Sequence, residues 1–142
     1  MDFITNIGKL IARYQNFFTE GVKHTLLIAA FSVLLGIIGG TLMAILRMSR
    51  VKPVKYLAKF YIDFIRGTPL MVQLMFIFYG LPMVGIKFPT VSFIPNFSRF
   101  MAGIVAMSMN STAYVAEIIR SGLQSVDPGQ SEAAMTLGLT RG

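Results

Sequence analysis

Six carboxylates and one imidazole are all that this 142-residue chain offers for binding a metal or moving a proton: Asp2, Glu20, Asp63, Glu117, Asp127, Glu132 and His24. A single histidine cannot make a multi-histidine zinc site, and without cysteine there is neither a thiolate metal site nor a disulfide framework. No G-x-x-x-x-G-K-[ST] run cradles a phosphate, so these residues are not expected to hydrolyse nucleotide. The sequence therefore points to no catalytic residue, no metal and no cofactor. The chemistry left is recognition. Gln73, Asn110, Glu117 and Arg120 interrupt stretches that are otherwise apolar, where an amide or a charge needs a partner. Gln73 is expected either to bond to another helix or to touch a solute. Glu117 is expected either to pair with Arg120, three residues on, or to stand beside a watery path through the bilayer.

A second set of residues reads as a docking element. Asp127 is placed to cap a helix, Pro128 suits its first turn, and Gln130 can reach back as in a capping box. Ala133, Ala134 and Leu137 then share a face, and Gly138 can take the left-handed conformation that ends the helix. A helix this short is unstable alone in water, so its shallow apolar face should dock into the groove of a cytoplasmic partner.

The elements that position these residues follow from hydropathy. With 54% hydrophobic and only 13% charged residues, the composition is that of a membrane protein. Residues 1–20 place Phe3, Ile4, Ile7, Leu10, Ile11, Tyr14, Phe17 and Phe18 at helical spacing, which predicts an amphipathic helix lying on membrane lipid or packing on protein. Residues 25–46 carry no charge and, at about 1.5 Å each, are long enough for the roughly 30 Å hydrocarbon core. Within this first span Ser32, Gly36, Gly40 and Ala44 step by four, a stripe that admits another helix closely, with a hinge at Gly39 and Gly40 as the alternative. Arg47, Arg50, Lys52, Lys55 and Lys59 follow with no acid among them; by the positive-inside rule they face the cytoplasm and put the N-terminus outside. The formal charge of +7 is thus read as topology rather than as nucleic-acid binding.

Residues 55–66 predict an interfacial elbow helix, and residues 68–83 a second span with Pro69 in its first turn. A loop outside the membrane runs from Pro82 to Phe97, with Pro89 and Pro95 marking turns. Residues 99–120 form the third span, where Gly103, Ala106, Asn110, Ala113, Glu117 and Arg120 make one small and polar stripe. Three crossings leave residues 127–142 in the cytoplasm. The expected fold is an all-α membrane protein of three spans, an interfacial helix, an elbow helix and a cytoplasmic terminal helix.

Glu132, Ala133, Ala134 and Gly138 resemble the EAA loop of ATP-binding-cassette importer permeases, in which Glu-Ala-Ala and Gly are separated by three residues. The stretch AYVAEIIRSGLQSVDPGQSEAAMTLGLTRG, Ala113 to Gly142, is similar throughout to the polar amino-acid permeases. DFIRGTPLMVQL, Asp63 to Leu74, with Arg66, Gly67, Thr68 and Pro69 inside it, is similar to their second signature stretch. The resemblance implies the N-terminal part of a type I importer permease of the bacterial inner membrane, with Glu132, Ala133, Ala134, Leu137 and Gly138 coupling it to an ATPase subunit. It implies a second permease subunit, identical or a sister chain, an extracytoplasmic solute-binding protein, and a polar amino acid as cargo, basic or glutamine. The family pattern continues past the Gly to an Ile-x-Leu-Pro segment that lies beyond Gly142, so a longer permease is expected.

Moving an alternating path from 1:99 to 99:1 takes about 5.5 kcal/mol of differential interaction. A chain without a nucleotide site needs a separate ATPase, expected to grip Asp127 to Leu139 and act through the third span. The competing class is a small three-span structural or assembly protein whose terminal helix docks a cytosolic partner that is not an ATPase; it leaves the two signature stretches without a cause. A proton-coupled carrier would need ionisable residues deep in the spans, and the sequence places none there.

Overall fold

The computed structural model describes residues 2–91 and 96–138. Pro95 of the expected loop, and Leu139 with the rest of the terminal segment, lie outside the described residues. Every regular element among those described is helical: α1 (Asp2–Met48), α2 (Lys52–Gly67), α3 (Leu70–Met75), a π-helical turn (Phe76–Gly80), α4 (Leu81–Met83), α5 (Phe97–Gln124) and α6 (Pro128–Thr136).

The separate helices expected over residues 1–20 and 25–46 are one continuous α1 of 47 residues. Nothing between them can stop a helix. No proline intervenes, and the polar side chains bond within their own turns: Lys23 to Glu20 at 2.8 Å, Thr25 Oγ1 to the Gly21 carbonyl at 2.8 Å and Thr19 Oγ1 to the Gln15 carbonyl at 3.0 Å. At about 1.5 Å per residue α1 is about 70 Å long, more than twice the hydrocarbon core. Its first turns keep Leu10, Ile11, Tyr14, Phe17 and Phe18 exposed.

α5 is the post around which the rest is packed. Its longest contact is with α1, where the small-residue stripe sits directly against it. A methyl group at Gly36 would lie 2.5 Å from Ser111 Cβ, one at Gly39 2.7 Å from Thr112 Oγ1, and one at Gly40 2.6 Å from Val115 Cβ. All three glycines therefore serve close approach, and Gly39 and Gly40 belong to a packed crossing rather than a hinge. Ser32 is buried and donates weakly to the Ile104 carbonyl at 3.5 Å, and Ala44 is fully buried with Ile62 and Ala116. A second apolar cluster joins Ile77 to Ala102 and Ala106.

α2 begins three residues before the expected elbow helix, because Pro53 falls within its first two positions, where a missing N–H costs nothing. It buries Ala58, Ile62 and Ile65 and leaves Tyr56, Leu57, Phe60 and Phe64 exposed. The segment after it turns by 104°. Proline disfavours the helical conformation at the residue before it, and Thr68 is extended at φ −109°, ψ 138°. Pro69 is the N-cap of α3 rather than a residue of its first turn.

Leu70–Met83 contains one widened turn, in which the Leu81 N–H reaches back to the Phe76 carbonyl. That π turn immediately precedes Pro82, whose ring would otherwise meet the carbonyl four residues back, so the helix continues through a proline that reads as an interruption. α1 and α5 are each long and apolar enough to cross a membrane. Leu70–Met83 rises only about 21 Å and attains span length only together with α2.

Candidate functional site

The bend at Gly67–Thr68–Pro69 ends α2, whose Phe64 and Ile65 carbonyls accept from Thr68 Oγ1, and Gln73 reaches back across it. Its Nε2 donates to the carbonyls of Ile65 at 2.7 Å and Thr68 at 2.9 Å, and to Thr68 Oγ1 at 2.9 Å. Asn110 Nδ2 in turn donates to Gln73 Oε1 at 3.2 Å, so two amides tie the bend to the middle of α5. Tyr61 Oη adds a bond to the Met109 carbonyl at 2.9 Å. Nothing stands within 4 Å of where a Cβ at Gly67 would be, so its place in the signature stretch has no steric cause among the described residues. Beside the amides a cleft of about 230 Å³ opens between Phe64, Val72, Phe76, Ala106 and Met109. Apart from Gln73 and Thr68, whose polar atoms are engaged with Asn110, with backbone carbonyls and with each other, its walls are apolar, and they offer no counter-charge.

A second group gathers where α1, α2 and α5 meet near their C-terminal ends. Glu117 is paired with Arg120, as the spacing of three suggests. It also accepts from Arg47 of α1 and lies 3.6 Å from Arg66 of α2. Arg47 reaches Asp63 as well, at 3.8 Å, and Arg66 lies over the Tyr114 ring, 5.6 Å from its centroid. Arg47 and Asp63 are functional candidates that the sequence reading missed. The signal was present: Arg47 closes a long uncharged stretch, at the depth where a cation has reason to find an acid.

The third group is α6 itself. Asp127 caps it, accepting from the Gly129 N–H at 2.6 Å. The expected capping box is not formed, because the Asp127 carboxylate serves Gly129 and the Gln130 N–H is taken by the Asp127 carbonyl at 3.0 Å. Gly138 ends the element at φ 80°. Glu132 and Ala133 are exposed, Ala134 is half-buried and Leu137 is 80% exposed; none of α1, α2 or α3 packs appreciably against this helix. The structure thus brings Gln73 to Asn110 and Glu117 to Arg120 and Arg66, and keeps Glu132, Ala133, Ala134, Leu137 and Gly138 apart on a projecting element.

The described residues form long apolar helices that pack through small residues, with two polar nodes and an uncovered last helix. Residues 11–142 match the family of binding-protein-dependent transport system inner membrane components, and the chain belongs to that family. It is 40% identical over 127 residues to the arginine transport system permease protein ArtQ of Bacillus subtilis, covering 89% of this chain and 54% of that one. It is also 40% identical over 126 residues to the putative glutamine transport system permease protein GlnP of Rickettsia conorii, covering 88% and 54%. Among solved structures, an amino acid ABC transporter crystallised with histidines is similar at a TM-score of 0.81 and 44% identity, over 92% of this chain and 57% of that one. The chain spans about half the length of the curated relatives it matches.

Proposed function

We propose that this chain is the membrane-spanning part of an ATP-binding-cassette importer that carries a polar amino acid inward across the bacterial cytoplasmic membrane, powered by a separate ATPase subunit. The observation that carries this reading is α6, a capped helix bearing Glu132, Ala133, Ala134 and Leu137, closed by Gly138 and left uncovered by α1, α2 and α3. A nine-residue helix is not stable in water on its own, so its exposed side calls for a partner's groove. With no phosphate-cradling run in the chain, the fuel is the partner's.

Arg47, Arg50, Lys52, Lys55 and Lys59 argue for a cytoplasmic α1–α2 turn, hence an outer N-terminus and an inner α6. The relatives named for arginine and glutamine, and the solved transporter with histidines, support a nitrogen-rich polar amino acid as cargo. A second permease subunit would complete the path, with Gln73 and Asn110 beside it, and an extracytoplasmic solute-binding protein would deliver to it. Glu132→Lys or Gly138→Val in the assembled transporter is expected to weaken ATPase retention by about tenfold, equivalent to about 1.4 kcal/mol, and uptake with it. Unchanged retention together with unchanged uptake would remove this assignment.

A further inference from the structure

Arg47 stands between two carboxylates on different helices: Glu117 of α5, which it holds closely, and Asp63 of α2, 3.8 Å away on its other amino group. Arg66 lies 3.6 Å from the same Glu117 carboxylate, and Arg120 Nε reaches both its oxygens at 3.2 Å. Three guanidiniums thus share two carboxylates, so a rearrangement within the group can keep both acids paired. The side chains of Arg47 and Glu117 are 14% and 18% exposed, whereas that of Asp63 is 49% exposed and free to follow a moving partner.

The place of this group in the chain gives it a role. Rising along α5 from α6, Ser125 and Ser121 bond only to carbonyls of their own helix, and Arg120 only to Gln124 and Glu117. Among the described residues Glu117 is the first polar side chain on that route to reach another helix, and it reaches two. With α6 uncovered by α1, α2 and α3, a displacement imposed on it enters the bundle through α5.

We propose that Arg47 is an ion-pair exchange relay: when α6 draws on the end of α5, Arg47 leaves Glu117 and closes on Asp63, so the ends of α1 and α2 stay clamped to each other while α5 moves. Exchange avoids the penalty of leaving a half-buried charge without a partner, and the guanidinium fork can hold one acid while engaging the next. Arg120, which shares α5 with Glu117, keeps that carboxylate paired while α5 moves. This rests on the coupling role proposed for α6 and adds positioning residues to it.

The test uses the assembled transporter with its ATPase and reads three quantities: ATPase retention, amino-acid uptake, and ATP hydrolysed per amino acid carried. Asp63→Asn removes the charge of the second acid at an exposed position. It is expected to leave retention intact, to lower uptake by about tenfold, and to raise the ATP cost of each amino acid, with recovery in Asp63→Glu. Glu117→Gln is expected to raise the same ratio. Asp63→Asn with unchanged uptake and unchanged ratio would overturn the relay. So would Glu117→Gln lowering retention and uptake in equal proportion with no change in the ratio, the behaviour of a merely structural ion pair. Failure of the unsubstituted chain to retain an ATPase would instead refute the coupling role of α6.

Discussion

Gln73 shows how one side chain can decide the course of the backbone. Its amide nitrogen donates to one carbonyl of α2, that of Ile65, and to that of Thr68 in the bend, and its oxygen is held by Asn110. Gln73→Leu keeps the volume but strips those partners, and is expected to lower the stability of the detergent-solubilised protein by about 1–3 kcal/mol, seen as a lower midpoint of thermal unfolding. That Gln73 needs a partner is legible from an amide set among apolar residues. That its partners are carbonyls of the preceding helix and the bend is not, because the 104° turn that brings them within reach appears only in three dimensions. Glu117 divides in the same way: Arg120 is three residues along the same helix, whereas Arg47 is 70 residues away in sequence.

The helices differ in how far pattern alone locates them. α5 and the apolar part of α1 are legible as long uncharged runs, and the glycine stripe correctly marks the face of α1 that meets α5. The join between the amphipathic and apolar parts of α1 is not, because amphipathicity changes there while helical continuity does not. Nor does the sequence announce that a π turn lets the chain pass Pro82. The glycines give a graded test of the α1–α5 crossing. Gly40→Val would drive its side chain into Val115 and is expected to cost about 1–3 kcal/mol of stability, whereas Gly21→Ala, with nothing within 4 Å, is expected to be neutral or stabilising by up to about 1 kcal/mol. Thermal unfolding of the two variants side by side checks the contrast; equal loss in both would mean that the crossing is not where the helices are closest.

For the molecule as a whole, a three-helix junction carries a small projecting helix on the end of its central post. The apolar surface of α1, α2 and Leu70–Met83 suits lipid and neighbouring spans, while α6 leaves Glu132 and Leu137 exposed. That division was legible early, since hydropathy places the spans and capping chemistry places the last helix. The cargo was not, because the cleft beside Gln73 has almost wholly apolar walls and no counter-charge. These residues contain no cysteine, so a reporter introduced here has no competing thiol within the chain. Ala133→Cys, placed on the exposed side of α6 in the assembled transporter, is the most direct probe. It is expected to cross-link to the ATPase subunit and to resist a membrane-impermeant thiol reagent applied from outside in intact cells. Labelling from outside, with no cross-link to the ATPase, would contradict the account.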